Sequence, residues 1–134
     1  MAGGISSTPD WQENLVKMLS GEDLVIFNPR RNDFDSSNKE MEEEQITWEH
    51  FHLIKADAIS FWFTPQTFCP ITLFELGTVC HKNPNQKIFV GCDPAYARIR
   101  DVRIQLRLRN PEIQVVESLE SLNIQIKDWL KTRL

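Results

Sequence analysis

Hydrophobic and polar positions change period several times along this chain, and each change marks an element. Trp11, Leu15, Met18 and Leu19 recur at near-helical spacing behind Thr8-Pro9, with Gly21 after them, which predicts a first helix. Leu24 to Phe27 is a short β-type run that Asn28-Pro29 stops. The stretch from Asn32 to Glu44 is polar and mostly acidic and reads as a solvated loop or lid. A helix over about Gln45 to Lys55 leads into the aromatic-rich run Ala58-Ile59-Ser60-Phe61-Trp62-Phe63, which reads as a central parallel strand. Beyond a loop from Thr64 to Cys69, Pro70 opens a helix, because its fixed φ and missing N–H suit a first helical position; Asn83-Pro84-Asn85 ends it. Lys87 to Gly91 is the next strand, Ala95 to Arg109 a helix burying Tyr96, Ile99, Val102 and Leu106, and Ile113 to Val116 a last strand. Leu119, Leu122, Ile126 and Trp129 lie on a C-terminal helix. Such alternation predicts one α/β domain over residues 1–134, with a parallel sheet covered by helices on both faces.

Composition narrows the function classes. At 134 residues and 41% hydrophobic, the chain is long enough for a core of its own. A formal net charge of -4 gives no general drive toward nucleic acid or anionic membrane. No apolar run approaches the roughly 20 residues that span a bilayer, and the first residues lack a basic-plus-apolar signal pattern, so a cytoplasmic protein is expected. Cys69, Cys80 and Cys92 are odd in number and without CxxC spacing, which argues against a disulfide framework. His50, His52, Cys80 and His81 match no zinc spacing, and neither metal nor cofactor is expected. Arg98, Arg100, Arg103, Arg107 and Arg109 give one basic helix without interleaved aromatics, read as a solvated face or subunit contact.

The chemistry gathers at two carboxylates. Glu75 lies near the start of the helix that follows the carboxyl end of the central strand, where open α/β sheets place their ligands. With Glu49 on the preceding helix it makes a pair suited to a glycosidic bond. Bland readings stand beside this one. Thr72-Leu73-Phe74-Glu75 also fits a capping box, Glu49 and Asp57 fit solvated surface positions, and Arg30 and Arg31 could pair with the acidic loop that follows them.

Over nearly its whole length the chain resembles the nucleoside 2-deoxyribosyltransferase-like family. The resemblance rests on Asn28-Pro29-Arg30-Arg31, Gln45-Ile46-Thr47-Trp48-Glu49, Ala56-Asp57 and Ile71-Thr72-Leu73-Phe74-Glu75-Leu76-Gly77, and continues through Val90-Gly91, Pro94-x-Tyr96-x-Arg98 and Asp101-Val102-x-x-Gln105. It implies a flavodoxin-like (Rossmann-type) three-layer sandwich with strand order 2-1-3-4-5. It also implies that Glu75 is the nucleophile taking the deoxyribosyl group, with Glu49 contacting sugar or base and Asp57 as its weaker substitute. Gly3, Gly4 and Ile5 then form a loop that lets backbone approach the ligand, and Trp11 is the best candidate to touch a base. Asn28, Arg30 and Arg31 could orient sugar hydroxyls or a 5'-phosphate. The implied ligand is a nucleoside or nucleotide, and the implied assembly a homodimer or dimer of dimers, with Phe51, Phe74 and Val79 as apolar contact surface. A noncatalytic nucleotide sensor using the same pocket is the alternative.

The family's hydrophobic first strand precedes the glycine loop, whereas this chain starts at Met1-Ala2-Gly3-Gly4-Ile5. The expectation is a sheet whose first strand is cut short, leaving unpaired edges inside it.

Overall fold

A computed structural model describes residues 1–133. Its sheet is parallel, built from β1 (Ala2–Gly3), β2 (Ala58–Phe63), β3 (Lys87–Cys92) and β4 (Val115–Val116) in that spatial order. Five helices flank it among the described residues: α1 (Trp11–Met18), α2 (Lys39–Lys55), α3 (Pro70–Val79), α4 (Ile99–Arg109) and α5 (Leu119–Thr132). The alternation of elements implied a helix-covered parallel sheet and the family resemblance a flavodoxin-like fold, and both hold; the order 2-1-3-4-5 does not, because the run from Leu24 to Phe27 forms no strand and four strands stand in sequence order.

Period-two alternation divides each central strand between two cores. Ile59, Phe61 and Phe63 of β2, with Ile88, Val90 and Cys92 of β3, point toward α3 and α4 and bury Leu76, Val102 and Leu106 there. Trp62 and Phe89 point the other way, against Trp11 and Leu15 of α1 and Leu122 and Ile126 of α5. Gly91 makes room for this second layer, since a Cβ there would stand 2.6 Å from the Trp62 ring.

Pairing is uneven across the sheet. All six residues of β2 have partners in β3, from Ala58 with Lys87 to Phe63 with Cys92. On the opposite side only Phe61 and Trp62 are paired, with Ala2 and Gly3. Residues expected to lie in a glycine loop are therefore a two-residue strand, and Ala58 to Ser60 have no partner on that side. Leu24 to Phe27, expected as a strand, joins no ladder. It is joined by a hydrogen bond from the Met1 amino group, just before β1, to the Phe27 carbonyl at 3.0 Å, and Leu24 and Ile26 pack partly buried against the core layer of Trp62 and Phe89.

Three further boundaries differ from expectation. Helix α2 starts at Lys39, within the segment read as loop, because the Asn38 side chain accepts from the Glu40 and Met41 N–H groups and caps it. Helix α4 starts at Ile99, so buried Tyr96 belongs to the turn before it and donates its hydroxyl to the Phe68 carbonyl at 2.7 Å. The last strand shortens to Val115–Val116.

Candidate functional site

The carboxyl end of β2 runs through Thr64 to Cys69, whose φ of 49° turns the chain into α3. Pro70 follows this left-handed cap as the first helical residue. Glu75 consequently stands well past the helix's free N–H groups, and the Thr72 of the proposed capping box is itself inside the helix and buried. No described residue donates a hydrogen bond to the Glu75 carboxylate. The cap reading of Glu75 falls, and its position has to be explained by what it faces.

It faces a long cavity of about 1500 Å³ that runs from β1, α2 and α3 past the segment around Phe27 to Ile126 and Trp129 of α5. Glu49 reaches the same cavity from α2. There Gln45, one turn earlier on the helix, donates to its Oε1 at 2.8 Å and to the Pro29 carbonyl at 2.7 Å. Phe27, Trp48 and His52 form an aromatic wall beside the pair. The His52 ring stacks on Trp48 at 4.0 Å and meets the Phe27 ring edge-on at 4.4 Å.

Partial burial makes the two carboxyl groups resist ionisation, and the charge of Glu49 adds to the resistance of Glu75. Desolvation, then the negative charge of Glu49, pushes Glu75 up to about 7, against a smaller pull from the Met1 amino group. Glu49 is also raised by desolvation, but the Gln45 hydrogen bond and the Met1 amino group hold it back. Burial in turn lowers the Met1 amino group to about 6, opposed by both carboxylates. Near neutrality the pair therefore retains a proton, the condition for one carboxyl to give a proton while the other attacks or stabilises positive charge.

The remaining candidates separate into those at the cavity and those behind it. Gly3, Gly4, Ile5, Arg31 and Asp57 line it; Trp11, Asn28 and Arg30 do not. Trp11 is 2% exposed in the core, with its Nε1 donating to the Gly4 carbonyl at 3.0 Å. Gly3 has a packing reason, since a Cβ there would run into the Trp11 ring. The Arg30 guanidinium donates to the carbonyls of Thr8 and Pro9, both at 2.9 Å, and to Gln12 Oε1 at 3.2 Å. It thus fastens the chain after β1 rather than pairing with the acidic loop. Arg31 does take the acidic partners, binding Asp33 through two nitrogens at 3.0 and 3.1 Å and lying 3.6 Å from Glu44. Asn28 is exposed, its side chain accepting from the Arg30 N–H. Asp57 stands at the amino end of β2, exposed and 3.6 Å from Arg133, away from the end that leads to Glu75.

Sequence reasoning missed two contributors. Gln12 is fully buried, linking Gly4 and Arg30, and nothing in its local sequence marks it. Gln45 carried a signal, because its spacing of four from Glu49 puts both on one helix face.

No helix among the described residues is long and apolar enough to cross a membrane. Comparison with curated proteins gives no match. The family model described as "Nucleoside 2-deoxyribosyltransferase like" matches residues 1–96, which hold β1, β2, β3, Glu49 and Glu75, and on that match the chain belongs to the nucleoside 2-deoxyribosyltransferase-like family.

Proposed function

We propose that this protein cleaves the N-glycosidic bond of a (deoxy)nucleoside or its 5'-monophosphate through a covalent sugar–Glu75 intermediate. The observation that carries the reading is the pair of partly buried, mutually repelling carboxyl groups, Glu75 and Glu49, facing one cavity. As the glycosidic bond breaks, positive charge builds at the anomeric carbon; this favours the ionised form of Glu75, so the one proton of the pair passes from Glu75 to Glu49 and the freed Glu75 oxygen attacks that carbon. The bonding electrons leave with the base, which takes a proton from Glu49. Glu49, now ionised, then accepts the proton of water or of an acceptor base that attacks the sugar–Glu75 ester, and Glu75 is released. Free base, product and both carboxyl groups balance at the end of the cycle.

The aromatic wall of Phe27, Trp48 and His52 supplies the apolar surface a nucleobase needs. A homodimer or dimer of dimers completes the proposal, because Phe51 and Phe74 are 63% and 71% exposed. Val79, expected on that surface, packs partly buried against the core instead.

The test is a panel of deoxynucleosides and their 5'-monophosphates, incubated with and without a free acceptor base. Base release identifies a hydrolase and base exchange a transferase. Because the reaction uses the one proton the pair holds, and the pair releases it near 7, kcat/KM should fall as pH rises through that value. Binding without turnover of any panel member would instead leave a nucleotide sensor.

A further inference from the structure

We propose that Gln45 is a positioning residue for the carboxyl pair, its amide tying the Glu49 carboxylate to the Pro29 carbonyl and so fixing where Glu49 stands against Glu75. This rests on the reading of the pair given above. Helix α2 has no fully buried residue: Leu53 packs partly buried against the core two turns beyond Gln45, and Trp48 and His52 stack on each other, so the turn that carries Gln45 is held chiefly by polar contacts. Pro29, by contrast, is buried. Both of Gln45's partners can only accept: a carbonyl oxygen at 2.7 Å and a carboxylate oxygen at 2.8 Å. The amide orientation is therefore determined, with both of its N–H groups engaged and its own oxygen without a partner among the described residues. One side chain thus binds helix α2 to the buried Pro29 and does so through the reacting carboxylate.

The bond also has a charge preference. An N–H donor stabilises the ionised carboxylate and does nothing comparable for the acid. Gln45 therefore biases the resting proton toward Glu75, the partner that no described group donates to. The other charged groups acting on the pair are the Met1 amino group, just before β1, and, on Glu75, the Glu49 carboxylate. His52, on Glu49's own helix, is engaged with the Trp48 carbonyl at 2.7 Å.

Gln45→Met keeps the length of the side chain and removes both donors; Gln45→Asn keeps an amide too short to span both acceptors. The measurement is a pH titration of the side-chain carboxyl carbons in ligand-free protein labelled with 13C-glutamate, with circular dichroism confirming the fold. In both variants the Glu49 midpoint should move up and the Glu75 midpoint down, because a Glu49 that stays protonated longer no longer repels the second charge. The kcat of the substrate found above should fall about tenfold with KM little changed, the loss expected of one such bond. Curves that overlay wild type in a folded variant would overturn the proposal, leaving Gln45 a structural tether. Failure of the glycosidic reading looks different: no member of the nucleoside panel would be turned over by wild type, while the paired displacement of midpoints in the Gln45 variants persisted.

Discussion

The two sides of β2 are built on different principles. Toward β3 the strand is paired along its full length and its side chains are buried on both faces, so position is set by a continuous ladder and two packed cores. Toward β1 two residues are paired, Leu24 to Phe27 joins no ladder among the described residues, and α2 has no fully buried residue. There, individual polar links add to the partial packing of Leu24, Ile26 and Leu53: the Met1 amino group on Phe27, Arg30 on Thr8, Pro9 and Gln12, and Gln45 on Pro29 and Glu49. The candidate site lies on this seam. Glu75 comes from the packed side, on a helix whose Thr72 and Leu76 are buried, and Glu49 comes from the linked side. Chemistry and stability should therefore respond to different residues.

The largest effect tests that separation at Glu75. Glu75→Ala should reduce base release or exchange by about three orders of magnitude or more, as loss of a covalent nucleophile does, while the melting temperature does not fall. Activity within tenfold of wild type would remove Glu75 from the reaction. On the packed side the reverse holds. Phe63, 0% exposed in the core, should cost about 3–5 kcal/mol when cut to alanine. Phe27→Ala, on the linked side and only partly buried, should cost much less. Equal losses in denaturant melts would mean the two sides are not distinct. Between them stands Arg30→Ala, which removes three hydrogen bonds and strands the buried Gln12 oxygen; about 2 kcal/mol is expected from such a group left unpaired. If Arg30 instead held a substrate phosphate, its loss would raise KM for monophosphates and leave melting unchanged.

The same contrast explains what could be read from the chain. Ile59, Phe61 and Phe63 opposite Trp62 betray a strand buried on both faces, and Pro70 marks the start of α3, because these signals are local and the core rewards them. The paired carboxylates were legible for a related reason, since Glu49 and Glu75 sit on elements that the pattern itself locates. On the linked side local pattern fails. Leu24 to Phe27 has β-type composition, but a strand needs a neighbour, and Ala58 to Ser60 have none on that side. Lys39 to Glu44 is too polar to show a buried stripe, yet it is helical because Asn38 caps it. Arg30 has the chemistry of an anion ligand, and only the fold reveals that the carbonyls of Thr8 and Pro9 already occupy it.

The smallest predicted effect concerns the stability penalty of holding the site ready. Glu75 titrates near 7 in the folded protein and near 4.5 when exposed, so the folded state binds the proton more tightly. Unfolding then releases a proton between those values, and this group's contribution to stability falls as pH rises from about 4.5 to 7. Above 7 the penalty is complete; below 4.5 it vanishes. Glu75→Gln, which keeps the shape and removes the charge, should therefore melt with wild type at pH 4 and above it at pH 8. Because the side chain is partly open to solvent, screening discounts the gain to about 1 kcal/mol, a few degrees in melting temperature. A variant that melts below wild type at pH 8 would mean that the Glu75 carboxylate is stabilising in place. Packing on α3, rather than the cavity shared with Glu49, would then account for its position.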